Sequence, residues 1–413
     1  MYKSALFALI TLLGTMPLTG IGKEPVPIAL SVPLSGPFAS VGETEFQHAQ
    51  LYVDDVNARG GVLGGRKLEL VAFDNKNSPQ EAILQLSQIA DRGIRFVSFC
   101  CASHIAVPMS EAIKRRNERE PERAMLFLAS AGDQDITNEK CSFWSFAFQG
   151  KAEMMMTALT NQLATQPGVK RVYLINQDYQ WGQQNQRFAR EMLARKRPDI
   201  QIVGNDLHPP GKVRDFSPYV AKIRAAKPDI VITANWGNDL TLLVKAAGES
   251  GLQVSFYTVV GWLYGTATVM GDAAVDRVVS VWRWHPNLSF ETERLARKEY
   301  QRRYNQEYYL SGNRLTIEML ATAIDQAGST NPLRVAYALE GLRLEGNIGE
   351  VWMRPDDHQL FEPLYVVSLT QVNGRDIKYG LEGTQTGTRT LARIEMADTT
   401  VPTRCEMKRP PRP

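Results

Sequence analysis

Catalysis needs a nucleophile, a base within reach and a pocket that stabilises charge, and this sequence offers five histidines for the task, at positions 48, 104, 208, 285 and 358. None stands in a G-x-S-x-G elbow or an H-E-x-x-H helix, and no P-loop lysine is present. The adjacent acids Asp54 with Asp55 and Asp356 with Asp357 project in different directions from a helix or turn, so they read as solvated surface rather than as an acid–base pair. Cys100, Cys101 and His104 are metal-ligand types close together, but the second spaced pair of a closed zinc site is missing. The expectation is a protein that is not an enzyme and holds no metal and no cofactor.

Binding chemistry is better represented. In open parallel sheets a ligand sits beyond the carboxyl ends of the strands, and five short segments follow apolar strand-like runs. C-C-A-S-H (100–104) and A-S-A-G-D (129–133) are small and hydroxylic, so they expose backbone N–H groups and hydroxyls where helices begin, an arrangement that receives an anion or carbonyl. Q-D-Y-Q-W-G (177–182), A-N-W-G-N-D (234–239) and V-V-G-W-L-Y-G (259–265) bring aromatic rings to one edge. Three aromatic-bearing strand ends in succession favour an apolar or aromatic pocket over chance core packing.

The elements that position these segments alternate in type. Strands are expected at 28–34, 68–73 and 96–99 and helices at 43–57 and 79–91, the second capped by Ser78 with Glu81. Strand, helix, strand in this rhythm means a parallel sheet. The G-G-V-L-G-G run (60–65) follows a helix and precedes a strand, the reverse of a dinucleotide fingerprint, so it is a turn. The alternation restarts with strands at 170–176, 201–206, 229–233 and 254–259 and helices at 182–195, 216–226 and 239–250. A strand at 277–284, helices at 290–308, 314–326 and 332–342, and strands near Val351 and over 364–371 complete it. Periodicity fades after Tyr379, and the K-R-P-P-R-P end reads as an extended, exposed tail.

With 413 residues, 44% hydrophobic and 22% charged, the chain has room for two to three domains and is neither collagen-like nor largely disordered. Its net charge of +3, 47 basic against 44 acidic residues, gives no nucleic-acid footprint. Lys3 ahead of the apolar run Ala5 to Leu13, then Gly14, Pro17, Gly20 and Gly22, is the layout of a secretory signal peptide, with cleavage expected after Gly20 or Gly22. No Cys follows the run to carry a lipid anchor. Export makes Cys100, Cys101, Cys141 and Cys405 disulfide candidates. A bridge between neighbours would be strained, so the expectation is one from Cys100 or Cys101 to Cys141.

Three longer segments, P-L-S-G-P-F-A-S-V-G (33–42), N-A-R-G-G-V-L-G-G-R-K-L-E-L-V (57–71) and D-F-S-P-Y-V-A-K-I-R-A-A-K-P-D (215–229), jointly resemble the type I periplasmic binding proteins of ABC importers, in particular the leucine/isoleucine/valine-binding branch. The resemblance spans nearly the whole chain after the signal peptide. It implies an α/β protein of two doubly wound parallel-sheet lobes joined by three crossovers, near Phe148, Trp284 and Gly349, with the ligand cleft between lobes that close around it. The divisions expected are a signal peptide at 1–22, lobe 1 at 23–147 and 285–349, lobe 2 at 148–284 and 350–379, and a C-terminal tail at 380–413. The partners implied are a small-molecule ligand and ABC permease subunits in the inner membrane, with no nucleic acid and a periplasmic location.

In the amino-acid binders of that family, first-lobe hydroxyls and amides hold the ligand carboxylate and a second-lobe acid pairs with its ammonium. Those first-lobe positions fall here at Ala102 or Ser103 and at Ala131 and Gly132, with Ser103 or Ser130 able to supply the hydroxyl and His104 adjacent. The acid's position falls near Val260 and Gly261, which carry no charge, and Asp133 and Asp239 are substitutes that no motif places. The family's second-lobe aromatic positions match Trp181 and Trp236, with Trp262 on the neighbouring segment. A desolvated ammonium without a carboxylate costs several kcal/mol, so the expected ligand is aromatic or apolar, with a carboxylate or amide, rather than a free branched-chain amino acid. A ligand sensor on the same fold, signalling to a membrane receptor or regulator, is the alternative.

Overall fold

The computed structural model describes residues 23–261, 263–309, 312–346 and 348–413. The expected signal peptide and Trp262 lie outside the described residues. The first lobe opens with β1 (Val26–Val32), α1 (Ala39–Ala58), β2 (Leu68–Asp74), α2 (Pro79–Asp91), β3 (Phe96–Cys100), α3 (Ser103–Arg119), β4 (Leu126–Ser130) and β5 (Ser145–Ala147). These strands form one sheet in the order β2-β1-β3-β4-β5, every pairing parallel. Helices on both faces explain the sequence of β3 and β4, F-V-S-F-C and L-F-L-A-S, in which every residue is buried. The turn at 60–65 is where the sequence puts it: a Cβ on Gly61 would lie 2.1 Å from the Arg66 carbonyl oxygen, so only glycine fits.

The second lobe follows with α4 (Ala152–Ala164), β6 (Arg171–Gln177), α5 (Gln180–Lys196), β7 (Gln201–His208), α6 (Ser217–Ala226), β8 (Ile230–Thr233), α7 (Asn238–Glu249), β9 (Ser255–Thr258), α8 (Thr266–Met270) and β10 (Val278–Trp282). Its strands repeat the winding, β7-β6-β8-β9-β10 in parallel. The chain then returns to lobe 1 with α9 (Glu291–Tyr304), α10 (Gly312–Ala327), α11 (Pro332–Leu339) and a small antiparallel sheet of β11 (Arg343–Gly346), β12 (Gly349–Met353) and β13 (Leu360–Phe361). Val351, Met353 and Leu360 pack in the lobe 1 core, and Ala147 bridges to Gln359, which puts the third crossover at Glu362–Pro363 rather than at Gly349. The last strands, β14 (Leu364–Gln371) and β15 (Thr386–Ile394), add an antiparallel edge to the lobe 2 sheet beside β10, before the short α12 (Met396–Thr399). Lobe 2 is thus a mixed sheet.

Arg283, on the second crossover, ties all three. One guanidinium N–H donates to the carbonyl of Phe148 on the first (3.2 Å), and Nε lies 2.5 Å from the Glu362 carboxylate on the third. The pair is almost fully buried, and burial pushes the Glu362 carboxyl up despite the cation beside it.

Two expectations fail at the C-terminal end. The K-R-P-P-R-P end is largely exposed and without regular structure, as expected, but 380–413 as a whole is not a tail, because β15 is sheet and the chain beyond it runs back onto lobe 1. There Thr403 donates to the Thr137 carbonyl, the Arg404 amide donates to Asn138, Arg354 donates to the Val401 carbonyl, and Met407 packs against the lobe 1 core. This segment is a fourth connection between the lobes. The cysteines pair as Cys141–Cys405 and Cys100–Cys101, not from the 100–101 pair to Cys141. The returning segment brings Cys405, 264 positions away in sequence, beside Cys141, and this leaves the neighbours only each other.

Candidate functional site

Both sheets follow a 2-1-3-4-5 order, so each has a switch point where the connections diverge, between β1 and β3 in lobe 1 and between β6 and β8 in lobe 2. The carboxyl ends of these strands face one another across the cleft and enclose a cavity of about 50 Å³. Ser103, Ser130, Gly132, Trp181, Trp236 and Val260 line it. Each comes from a strand end: Ser103 begins α3 just after β3, Ser130 ends β4, Trp181 lies in the first turn of α5 after β6, and Trp236 follows β8.

The other expected residues sit near the cavity without lining it. Ala102 is the buried N-cap of α3, and Ala131 belongs to the lobe 1 core. His104 turns its ring toward lobe 2, edge-on to Tyr179 at 5.9 Å, with Nε2 3.4 Å from the Asn77 carbonyl; burial lowers its pKa. Glu45 and Val41 from α1 and Gln149 from the first crossover line the cavity without having been singled out, whereas Tyr179, Leu263 and both members of the Cys100–Cys101 disulfide come from the strand-end segments. Glu45 accepts from the side-chain N–H of Asn313. Its position in the helical run E-T-E-F-Q-H gave no sign of the cleft, because α1 reaches the site only through the fold.

The two indoles are fixed by their own hydrogen bonds. Trp181 Nε1 donates to the Ala234 carbonyl (2.9 Å), and Trp236 Nε1 donates to the Tyr179 hydroxyl (2.7 Å). With both donors consumed inside lobe 2, what the two rings bring to the cavity is apolar. Burial raises the Tyr179 hydroxyl's pKa, so it stays protonated.

Lobe 1 meets these rings directly. Phe38 packs on Trp236 with centroids 4.7 Å apart, and the Trp181 ring lies on Gly132. A polar contact flanks them: Gln180 at the start of α5 donates to Asp135 (2.8 Å) and to Asp133 (3.5 Å), and the Gln134 amide donates to the Gln184 side chain (3.1 Å). Asp133 is buried, and this raises its carboxyl to about 7 against the hydrogen bond from the Asp135 amide. Asp239 is not on the cavity wall; it accepts from Gln177 and from the Gly211 amide, both at 2.7 Å. Among the described residues no cluster of three or more His, Cys, Asp or Glu could hold a metal ion, and no helix is long and apolar enough to cross a membrane.

Comparison with known proteins agrees with this architecture. The family model for periplasmic binding proteins matches residues 25–375. Leu/Ile/Val-binding protein homolog 4 of Brucella melitensis is 30% identical over 404 residues, covering 95% of this chain and 94% of the relative. The crystal structure of the leucine-, isoleucine-, valine-, threonine- and alanine-binding protein of Brucella ovis, in its closed conformation, superposes with a TM-score of 0.82 at 27% identity, over 94% of this chain and all of that one. A solute binding protein of an ABC transporter from Rhodopseudomonas palustris, solved with 3,4-dihydroxybenzoic acid, shares the fold at a TM-score of 0.77 and 18% identity, over 90% of this chain and 98% of that one. Two wound lobes, a cleft at their switch points and these matches place the chain in the periplasmic binding protein family, in its leucine/isoleucine/valine-binding branch.

Proposed function

We propose that this periplasmic solute-binding protein of an ABC transporter captures a small ligand with an aromatic or apolar body and a carboxylate or amide end, in preference to a free branched-chain amino acid, and delivers it to permease subunits in the inner membrane. The observation that carries the reading is the pair Trp181 and Trp236, which line the cavity with their indole N–H groups already bonded within lobe 2, so that they present carbon rather than donors to it. A stacked aromatic ligand gains roughly 0.5–1.5 kcal/mol per ring pair beyond its buried area. Ser103 and Ser130 on lobe 1 supply hydroxyls for the polar end. Val260 lines the second-lobe side where an acid would pair with an ammonium, and Asp239 is turned to other partners.

The cavity of about 50 Å³ is smaller than the ~150 Å³ of an apolar cavity that holds benzene. A ring-sized ligand therefore enters by spreading the lobes where Trp181 rests on Gly132, and closure over it is the binding event. Benzoate-type ligands are accepted by a relative of the same fold, the Rhodopseudomonas palustris protein solved with 3,4-dihydroxybenzoic acid.

One observation favours a second reading. Glu45 lines the cavity from lobe 1, and its carboxylate is a counter-charge for the ammonium of an amino acid, the ligand class in the name of the Brucella ovis protein. A thermal-shift screen of the chain from residue 23 with aromatic acids, amides and amino acids separates the two. Aromatic acids or amides should raise the melting temperature most. A dominant response to leucine that Glu45→Gln abolishes would establish the amino-acid reading instead.

A further inference from the structure

We infer that the Cys100–Cys101 disulfide is itself a ligand-contacting wall of the cleft, and that the receptor binds fully only with this pair oxidised. The inference rests on reading the cleft as the ligand site and extends it to a residue pair whose sulfurs had no assigned role. Cys100 ends β3 and packs on one side in a cluster with Leu30, Val32 and Ala49. On the other side both cysteines line the cavity whose opposite wall carries Trp181 and Trp236. Cys101, held at φ +102° in the region that favours glycine, donates its amide to the Ser130 carbonyl (3.1 Å) and leads directly into Ala102 and Ser103 at the start of α3.

Two consequences follow from the chemistry. A disulfide has no hydrogen-bond donor, so next to two indoles it completes an apolar, polarizable slot suited to a flat or aliphatic group. Two thiols would instead bring two S–H donors and two independent rotamers into the same space. The bridge also constrains the backbone between β3 and α3, which sets where the Ser103 hydroxyl and its helix N-terminus stand. A phosphine reductant breaks the S–S bond, giving up two electrons and taking the oxygen of water; two protons end on the sulfurs. The slot then loses its covalent shape and gains two weak S–H donors.

The test uses the chain from residue 23 carrying Cys141→Ala and Cys405→Ala, in which Cys100–Cys101 is the one remaining bridge. Calorimetry with benzoate, 3,4-dihydroxybenzoate and L-leucine is run before and after tris(2-carboxyethyl)phosphine, with a melting curve to show that the reduced protein stays folded. For the probe that binds the oxidised form, at least a tenfold loss is expected on reduction and in Cys100→Ser/Cys101→Ser. Equal affinity in both redox states would overturn the inference. If no probe binds the oxidised form, the proposed ligand class fails, and the sulfur wall is judged without a ligand. Disulfides quench nearby indoles, so reduction should raise tryptophan emission, and the rise should vanish in Trp181→Phe/Trp236→Phe. Emission unchanged by reduction overturns the wall.

Discussion

Trp181 of lobe 2 rests on Gly132 of lobe 1 so closely that a Cβ added to the glycine would lie 2.3 Å from ring atom Cζ3. No real Cβ tolerates that approach, and the indole is held by its bond to the Ala234 carbonyl, so a side chain at 132 must keep the lobes apart. Gly132→Ala should therefore weaken, by at least tenfold, whichever of benzoate and leucine the wild-type chain binds. The ligand-free melting temperature should barely change, since each lobe keeps its own core. Calorimetry beside a melting curve reads both.

Arg283 and Glu362 are expected to matter for stability rather than for ligand choice. They are buried on different crossovers, and removing one partner of a buried pair typically costs about 3–5 kcal/mol because the other charge is stranded. Arg283→Met alone should lower the denaturation midpoint sharply. Arg283→Met with Glu362→Leu should recover most of the loss, and a double variant as unstable as the single would show that the pair is not coupled.

Asp133 gives a pH signature with a definite sign. Burial is the main cause of its rise to about 7, the Asp135 charge adds to it, and Lys140 works against it. Between the ordinary carboxylate range and pH 7 the folded chain holds a proton that the unfolded chain has released, so this group's contribution to stability falls as pH rises through that window. Asp133→Asn should gain on the wild type from pH 4 to pH 7, by at most tenfold in the folding constant per pH unit, and level off above. A stability difference independent of pH would refute the assignment.

The Cys141–Cys405 bridge closes a loop of more than 260 residues and fastens the fourth connection to lobe 1. Cys141→Ala/Cys405→Ala should cost about 2–4 kcal/mol of stability, the usual range for a native bridge. Denaturant titration of the intact and double-variant chains measures it.

Much of this fold was legible because the signals were local. α2 runs Pro79–Asp91 as its capping box and apolar spacing indicate, with the Ser78 side chain accepting from the Glu81 amide. The strand-end logic brought Ser103, Ser130, Trp181 and Trp236 to one cavity because parallel sheets put their carboxyl ends on one edge. What failed was long-range or lacked apolar contrast. β15, T-G-T-R-T-L-A-R-I, is an edge strand with polar residues along its exposed length, so it has no hydrophobic alternation to detect. The third crossover was misplaced because β12 and β13 join lobe 1 through packing of Val351, Met353 and Leu360, which a sequence pattern does not assign to one lobe over the other. The disulfide pairing depended on where residues 400–413 return, a contact that no spacing encodes. Glu45 was missed for the same reason, as a helical residue brought to the cleft by tertiary structure.

The measurement that tests the central claim most directly is calorimetric titration of the chain from residue 23 with benzoate and with L-leucine, repeated in Trp236→Ala, Asp239→Asn and Glu45→Gln. The structure leads us to expect benzoate to bind at least tenfold more tightly than leucine, Trp236→Ala to weaken it by tenfold or more, and Asp239→Asn to leave it unchanged. Micromolar leucine binding without benzoate binding, whether abolished by Glu45→Gln or by Asp239→Asn, would contradict the aromatic cleft.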